Sequence, residues 1–273
     1  MRDVRGDISR LKTLSTIPVV MKRLLETVDD ENSSFVELSE IIQHDQSLAE
    51  RVVAIANAPY FWHSGLVNNL EQAVLLLGYD LVRSIAISIS VFELLGRKEA
   101  KRMKEFWAHS YEVGLIAGLL CDKVPVTSGG VCFLGGLLHD IGRVVFYALY
   151  GPEYKDVMFE ESLTERELEL FDADHCSAGG WFLESSLFPE EIVFAVRYHH
   201  RLEGCDKHKG IAVTVHLAEA LSAVIAPRNE ADGAWSEEKE RLLVKSGLTR
   251  ADVEHMGSMV RREAPFIESF FEM

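Results

Sequence analysis

Apolar residues recur every three or four positions along most of the chain, which is the spacing of one face of an α-helix. After Pro18, a residue suited to the first turn of a helix, the apolar positions keep this spacing as far as Val28. Further helix starts are indicated by a capping residue that is followed three positions later by an acidic or amide residue. These pairs are Ser34–Glu37, Asn69–Gln72, Thr164–Glu167 and Thr249–Asp252.

The fold class that this pattern predicts is all-α, with roughly a dozen helices and no significant sheet. Segment 81–95, LVRSIAISISVFELL, alternates isoleucine and serine as a strand would, but no partner strand is found nearby. We therefore predict a helix there, capped by Asp80 and ended by Gly96. An earlier helix is expected to end at Gly78.

A charged segment, Gly96–Glu105, separates two apolar blocks and marks the predicted boundary between two helical lobes. The first lobe is expected to span residues 1–98 and the second residues 99–225. Residues 226–273 are expected to form an exposed connection, over 226–240, and an amphipathic C-terminal helix that packs on the second lobe. The apolar residues of that tail are Phe266, Ile267, Phe270 and Phe271.

The composition, with 48% hydrophobic residues, is sufficient for a packed core. The net charge is −15 and no cluster of lysine and arginine stands out, which argues against a nucleic-acid partner. The longest apolar segment, Ala73–Leu95, is interrupted by Asp80 and Arg83, so we expect no membrane span. Because the N-terminus lacks the apolar segment of a secretory signal, we expect a cytoplasmic protein whose four cysteines are reduced core thiols.

The apolar segment GGLLHDIGRVVFY, residues 135–147, contains an adjacent histidine and aspartate. Burying both His139 and Asp140 is costly unless a hydrogen bond, a neighbouring cation or a metal ion satisfies them. The flanking glycines lower helix propensity, which is expected where neighbouring helices approach closely. We therefore predict that the doublet lies inside a glycine-flanked helix.

Six of the ten histidines lie within about a hundred residues of one another, mostly in segments that are predicted core helices. Any one of them alone is more often a hydrogen-bonded core residue than a ligand. Two of them share a helix face with a carboxylate, because Glu105 precedes His109 by four residues and Glu219 follows His216 by three. The other four are His139, His175, His199 and His200.

Imidazole and carboxylate together suit divalent Fe, Mn, Ni or Zn, and the absence of thiolates from the pattern argues against a structural cysteine-type zinc site. Six or seven ligands from separate helices exceed one tetrahedral site and fit a two-metal centre in the core of a helical bundle. Asp140 would then be tolerated because a cation neutralises it. The sequence has no phosphate-binding P-loop, nucleophile elbow or dinucleotide-binding glycine motif.

The order of these motifs resembles that of the HD superfamily of metal-dependent phosphohydrolases. The resemblance is carried by His109, LLHDIG at 137–142, DADHCSAGGWFL at 172–183 and VRYHH at 196–200. Segments 14–30, 37–61 and 69–88 resemble the HDOD domain, an all-helical output module of bacterial signalling, and that resemblance extends over about residues 10–225. The HDOD family is related to the HD-GYP phosphodiesterases, and many of its members have lost metal ligands.

This resemblance implies a set of metal ligands, position by position. The matching residues are Glu105, His109, His139, Asp140, His175, His199 and His200. The last ligand of the HD-GYP proteins is an aspartate, for which Glu219 is the best match and His216 the match in a shifted alignment.

Two features depart from the HD-GYP pattern. Arg143 stands where those proteins have a lysine, and its rigid guanidinium could still hold a phosphate. The Gly-Tyr-Pro loop is missing from residues 199–210, HHRLEGCDKHKG. Because that loop is associated with recognition of cyclic dinucleotides, the resemblance does not extend to hydrolysis of cyclic di-GMP.

Two functions follow, and the sequence leaves both open. The first is a signalling module that acts through contacts with an unidentified partner protein, in which the metal centre is structural, vestigial or sensory. The second is an enzyme that hydrolyses a nucleotide or another phosphoester, in which Asp140 bridges the metal ions or orients water and Arg143 holds the phosphate. Because the HDOD-like pattern begins almost at the N-terminus, we expect the input signal to come from another protein or from the metal centre.

Overall fold

The computed structural model describes residues 2–11, 19–29, 34–57, 66–93, 100–123, 127, 129–160, 162–186, 188–225, 237–245 and 247–270. The regular structure within these ranges is helical and none of it is strand, so the all-α prediction is confirmed. The N-terminal helices are α1 (Val4–Leu11), α2 (Val19–Asp29), α3 (Phe35–Gln43), α4 (Gln46–Ala56), α5 (Leu70–Leu77) and α6 (Tyr79–Glu93). The helices that follow are α7 (Ala100–Lys123), α8 (Gly129–Leu138), α9 (Ile141–Tyr150), α10 (Pro152–Lys155), α11 (Leu163–Phe171), α12 (His175–Ser185), α13 (Glu190–Tyr198), α14 (Lys209–Ile225), α15 (Glu237–Lys245) and α16 (Arg250–Phe270).

Side-chain caps fix several helix starts as the sequence predicts. The Ser34 hydroxyl accepts a hydrogen bond from the Glu37 amide, and the Asn69 side chain accepts one from the Gln72 amide. Gly78 ends α5 with a φ of 84°, a backbone conformation that glycine adopts without strain. The predicted cap at Asp80 is wrong. Helix α6 already begins at Tyr79, because the Gly78 carbonyl accepts its first hydrogen bond, from Val82.

The prediction that His139 and Asp140 lie inside a helix is also wrong. Helix α8 ends at Leu138 and α9 begins at Ile141, so the doublet forms a turn between the two helices. The Nδ1 atom of the His139 ring donates a hydrogen bond to the Gly136 carbonyl near the end of α8, at 2.8 Å. The helix is therefore interrupted at the two residues whose side chains face the same interior space.

Close approach of helix backbones sets the position of this turn. A Cβ atom on Gly136 would lie 2.7 Å from the Cα of Gly114 on α7, so α7 and α8 cross at two glycines. A Cβ atom on Gly142 would collide with the carbonyl of His175, at the crossing of α9 and α12. These two crossings bring the doublet next to α7 on one side and next to the start of α12 on the other.

One apolar core extends through both predicted lobes. Ile8 of α1 and Ile85 of α6 belong to the same cluster of buried side chains as Phe133 of α8 and Val196 of α13. Helix α1 packs on α9 and α12, and α6 packs on α8 and α9. The N-terminal helices therefore support the helices that carry the histidines. The domain boundary at residue 98, which lies outside the described residues, stays a prediction.

The C-terminal helix α16 packs against α7 and α14 through Met256 and Val260. Residues 226–236 of the predicted connection lie outside the described residues, and its last residues belong to α15. The described part likewise does not include Phe271 or the side chains of Phe266, Ile267 and Phe270.

Within the described part of the chain, residues 129–150 are long and apolar enough to cross a membrane by length and composition alone. This segment consists of α8, the His139–Asp140 turn and α9, and 78% of its most apolar window is buried inside the protein. Such burial is what the central helices of a folded core also show.

Candidate metal centre

Four helices and one turn bring the predicted ligands together. His109 lies on α7 and Glu219 on α14, while His139 and Asp140 form the turn between α8 and α9. The other predicted ligands lie at helix ends. His175 begins α12, whose start is fixed because the Asp174 side chain accepts a hydrogen bond from the Ser177 amide at 2.8 Å. His199 is the C-cap of α13, which ends at Tyr198, and His200 follows it, close to where the sequence predicts the end of this helix.

Three buried imidazoles are held in the same way, each through its Nδ1 atom. The acceptors are the Gly136 carbonyl for His139, the Val196 carbonyl for His199, and the Glu167 carboxylate for His175, at 2.7 to 2.8 Å. Because these oxygens accept, Nδ1 must donate, and Nε2 is the atom that carries the lone pair of the neutral ring.

The Nε2 atoms converge on the Asp140 carboxylate. Its Oδ1 lies 3.3 Å from Nε2 of His175 and 3.7 Å from Nε2 of His199, and its Oδ2 lies 3.5 Å from Nε2 of His139. The Nε2 atoms of His139 and His175 are buried without a hydrogen-bond partner among the described residues. Acceptors that face acceptors at these distances need a proton or a cation between them, so the residues present fit a metal ion.

The side chains form three overlapping sets in which one potential ligand atom from each member lies within 4.8 Å of the others. The sets share His139 and His199, so they make up one continuous centre rather than separate sites. Together they contain more potential ligands than one tetrahedral site requires. The sets are His109, His139 and Asp140; His139, His199 and Glu219; and His175, Cys176, His199 and His200.

The pKa values favour the protonation states that bind metal for most of this set. Burial lowers the pKa of His109 to about 4, and burial together with neighbouring imidazoles also lowers the pKa of His199 and His200. Burial opposes the charge on Asp140, but Arg143 and His139 hold the pKa of that carboxyl well below its usual value. Neutral imidazoles and ionised carboxylates are the ligand forms.

His175 differs from the other imidazoles. Although burial alone would lower its pKa, the neighbouring Cys176, Asp140 and Glu167 raise it well above the usual value. A cation that binds at Nε2 would displace any proton held there.

Arg143 is engaged with the same carboxylate. Its Nη1 donates to Oδ2 of Asp140 at 2.7 Å and its Nη2 donates to the Met158 carbonyl, while the guanidinium lies over the rings of Phe106 and Phe159. A protein cation thus already neutralises part of the Asp140 charge. The predicted contact between Arg143 and a phosphate stays a prediction.

Two predicted positions lie apart from the converging atoms. The side chain of Glu105 is exposed, and none of the three sets includes it. The Nδ1 atom of His216 is bonded to the His199 carbonyl at 2.6 Å, whereas Glu219 belongs to one set and lies 3.5 Å from His200. Of the two alternatives for the last ligand, Glu219 is therefore the one beside the centre.

Glu167 and Cys176 also lie at the centre, although the sequence pattern did not predict them there. Glu167 is fully buried and also accepts a hydrogen bond from the Tyr154 hydroxyl, although its sequence pattern suggests only an acidic residue near a helix start. The helix in question starts at Leu163 with Ser162 before it, so Thr164–Glu167 is not its cap. The position of Cys176 directly after a predicted ligand was the one available signal for that residue.

Comparison with known proteins identifies a relative of this chain. A relative from Treponema pallidum (strain Nichols), an uncharacterized protein, is 25% identical over 219 residues. The match covers 75% of this chain but 42% of that relative, so the chain spans less than half of the relative's length.

Three solved structures share the fold at sequence identities of 19 to 23%. A protein of Shewanella amazonensis SB2B, provisionally named a phosphohydrolase, has a TM-score of 0.69 at 19% identity and covers 98% of this chain and 97% of its own. A provisionally named signal transduction protein of Marinobacter aquaeolei VT8 has a TM-score of 0.68 at 22% identity, over 96% of this chain and 60% of its own. An HDOD domain protein of unknown function from Geobacter sulfurreducens has a TM-score of 0.63 at 23% identity, over 99% and 98%.

The family model of the HDOD domain matches residues 14–202, which is more than half of the chain. This match agrees with the all-helical fold and with the order of the histidine motifs along the sequence. The chain belongs to the HDOD domain family.

Proposed function

We propose that this HDOD protein is a cytoplasmic signalling module of a bacterium, and that it carries a divalent metal centre of the HD type. The observation that carries the proposal is the convergence of three buried Nε2 atoms, those of His139, His175 and His199, on one carboxylate. The Nδ1 bonds that orient these rings are of the kind that metal-bound histidines make with their second ring nitrogen.

The two oxygens of Asp140 face different imidazoles, which suits a carboxylate shared by two cations. The Oδ1 atom faces His175 and His199, and the Oδ2 atom faces His139. In the proposed centre His109 and Glu219 complete the set on the side of His139, and His200 completes it on the side of His175. Nitrogen and oxygen ligands of this kind suit Fe, Mn, Ni or Zn.

The hydrogen bonds that Arg143 already makes favour a signalling function over a catalytic one. Its two terminal nitrogens are already bonded to Asp140 and to the Met158 carbonyl, so it would meet a phosphate only after giving up one of these bonds. The proposed output is therefore a contact with another signalling protein. The metal centre would support this contact by stabilising the helices that meet around the metal ligands.

A phosphohydrolase is the second candidate, and the accessible side of the centre favours it. The His200 side chain is 38% exposed and Glu219 is 24% exposed, so a phosphoester could approach from that side. When bound, divalent cations would supply Lewis acidity and lower the pKa of water. In this candidate Asp140 orients the water and Arg143 holds the phosphate, as the family resemblance implies.

Metal content tests the proposed centre directly. The full chain is loaded with Mn²⁺, Fe²⁺ or Zn²⁺ under reducing conditions, desalted and measured by elemental analysis. We expect His139→Ala to lower the bound metal sharply, because this ring belongs to two of the three sets. His255→Ala removes an exposed histidine of α16 and should leave the content unchanged. Equal occupancy in both variants would contradict the proposal.

A screen of phosphoesters separates the two candidates. The metal-loaded protein is assayed with nucleotides and other phosphoesters, with Asp140→Asn measured in parallel. We expect stoichiometric metal without turnover on any substrate, since Arg143 is engaged with Asp140. Turnover that is abolished by Asp140→Asn would instead establish the phosphohydrolase.

A further inference from the structure

A thiol lies beside the proposed centre, although the sequence pattern contains no thiolate ligand. Cys176 is the second residue of α12 and is 5% exposed. Its Sγ atom lies 3.9 Å from Nε2 of His199. With His175, His199 and His200 it forms the set with the most members, whose potential ligand atoms all lie within 4.8 Å of one another.

One printed separation in this set is close to the distance between neighbouring ligand atoms around a zinc ion. With metal–sulfur bonds of about 2.3 Å and metal–nitrogen bonds of about 2.0 Å, neighbouring ligand atoms of a tetrahedral zinc site lie about 3.5 Å apart. The distance between Sγ of Cys176 and Nε2 of His199 exceeds this value by a few tenths of an ångström, which small side-chain rotations can remove.

A second observation, independent of the cysteine, also points to a ligand at this position. The Nε2 atom of His175 is buried without a hydrogen-bond partner in the described part of the chain, and its ring is fixed by Glu167 through the opposite nitrogen. The ring therefore cannot turn away from the thiol without breaking a buried bond to a carboxylate.

The inference rests on the metal-binding function proposed above. We propose that the thiol of Cys176 is a ligand of the cation held by His175, His199 and His200, and that this position selects a thiophilic divalent cation such as Zn²⁺ over Mn²⁺ or Mg²⁺. On binding, the sulfur forms a bond to the cation and its proton passes to solvent. A thiolate is a soft ligand, whereas Mn²⁺ and Mg²⁺ prefer oxygen.

The two sides of the centre then differ in chemistry. The set of His109, His139 and Asp140 offers nitrogen and oxygen alone, and the set that contains Cys176 adds sulfur. A centre with one hard and one soft position binds two different metals in preference to two identical ones, provided that both metals are supplied.

Cobalt spectroscopy tests this assignment in the full chain. Co²⁺ bound to a thiolate gives a sulfur-to-metal charge-transfer band in the near ultraviolet, and bound Co²⁺ of any ligation gives visible ligand-field bands. We expect both in the native sequence, and we expect Cys176→Ser to lose the charge-transfer band while the visible bands remain. Cys121→Ser is the matched control, because Cys121 is also buried, bonds to the Thr127 carbonyl and belongs to none of the three sets.

Competition between metals gives a second measurement. We expect Cys176→Ser, and also Cys176→Ala, to reduce the preference for Zn²⁺ over Mn²⁺ on the order of 100-fold, because partners outside the ligand shell alone are worth about 10- to 100-fold in affinity. Circular dichroism verifies that each variant is folded.

The outcomes distinguish this inference from the proposed function. A charge-transfer band that persists in Cys176→Ser, or visible bands without charge transfer in the native sequence, would overturn the thiolate ligand and leave the metal centre standing. Native protein that binds neither Co²⁺ nor Zn²⁺ would overturn the proposed function itself.

Discussion

Asp140 is buried between a cationic guanidinium and three imidazole rings. On one side the Arg143 guanidinium donates to it, and on the other three imidazoles present nitrogen atoms at 3.3 to 3.7 Å. A buried carboxylate depends strongly on its cation partner, since removing such a partner typically costs about 3–5 kcal/mol. The rings of His139 and His175 therefore face a carboxylate that still attracts positive charge.

The sequence alone predicted which imidazoles converge, but not what holds them in place. The order of the family motifs allowed His139, Asp140, His175 and His199 to be predicted, and the fold brings their side chains together. Glu167 could not be found in this way. It lies on α11 and orients His175 at the start of α12, and rules based on residue spacing do not relate positions across the turn between two helices.

Glu167→Gln tests the orientation of His175. The Oε2 atom of the carboxylate accepts hydrogen bonds from both the main-chain amide and the ring of His175, and Oε1 accepts one from the Tyr154 hydroxyl. A glutamine has one uncharged oxygen and one NH₂ group, so it cannot accept on both sides, and its bond to the His175 ring loses the assistance of the negative charge. We expect the affinity for Zn²⁺ to fall by about 10- to 100-fold, measured by competition with a chromophoric chelator. Glu169→Gln, on the exposed side of the same helix, should bind as the native sequence does. Equal affinities in the two variants would contradict this role.

Helix crossings at glycine decide how closely the ligands approach one another. Glycines in GGLLHDIG predicted close packing of helices correctly, since Gly136 meets Gly114 and Gly142 meets the start of α12. The sequence did not predict the interruption between α8 and α9. Helical periodicity continues through His139 and Asp140, and the interruption comes from a bond between the His139 ring and the main chain that periodicity does not reveal.

Gly142→Ala tests the crossing of α9 and α12. The added methyl group would collide with the His175 carbonyl and stand 2.7 Å from the Gly179 amide nitrogen, so α12 must move. We expect the free energy of unfolding to fall by about 2–3 kcal/mol, which is typical of overpacking, and metal affinity to fall with it.

Gly257→Ala is the matched control for this change. At that position the nearest atom is the flexible end of Arg261, 3.2 Å away, and the site lies within α16. The substitution should leave stability unchanged or raise it by up to about 1 kcal/mol through helix propensity. Urea unfolding of both variants measures the difference, and similar losses in the two would show that the α9–α12 crossing tolerates a side chain.

The whole molecule is held together partly by the docking of α16, which buries a carboxyl group. Glu263 is 1% exposed, and Tyr111 is a polar neighbour of its carboxyl group. Burial raises its pKa to about 7, against the smaller opposing effects of Arg262 and Tyr111. The folded protein therefore holds a proton that the unfolded chain releases at lower pH.

Stability is expected to fall with rising pH because of this group. Between about pH 4.5 and about pH 7 the folded state binds more protons than the unfolded state, so the contribution of Glu263 is greatest below this window and is lost above it. Its size is at most about 3 kcal/mol, because a pKa raised from 4.5 to about 7 sets the upper limit of the difference between the two states. Glu263→Gln should therefore gain stability relative to the native sequence between about pH 5 and about pH 8.

Urea unfolding of both proteins at the two pH values measures this gain. Taking the difference between variant and native sequence cancels the other titrating groups. Glu254→Gln, an exposed position on the same helix, should show no such gain. A difference between Glu263→Gln and the native sequence that does not change with pH would contradict the assignment.

While the chain is being synthesised, residues 129–150 leave the ribosome before most of the helices that will cover them. Helices α12, α13 and α14 all come later in the sequence, so α1, α6 and α7 can cover this stretch only in part until Ile225 has emerged. A targeting factor that surveys nascent chains would meet a segment of bilayer-spanning length. The histidine and aspartate at its middle raise the cost of transfer into lipid, so the residues proposed as ligands also disfavour mistargeting of the unfinished protein.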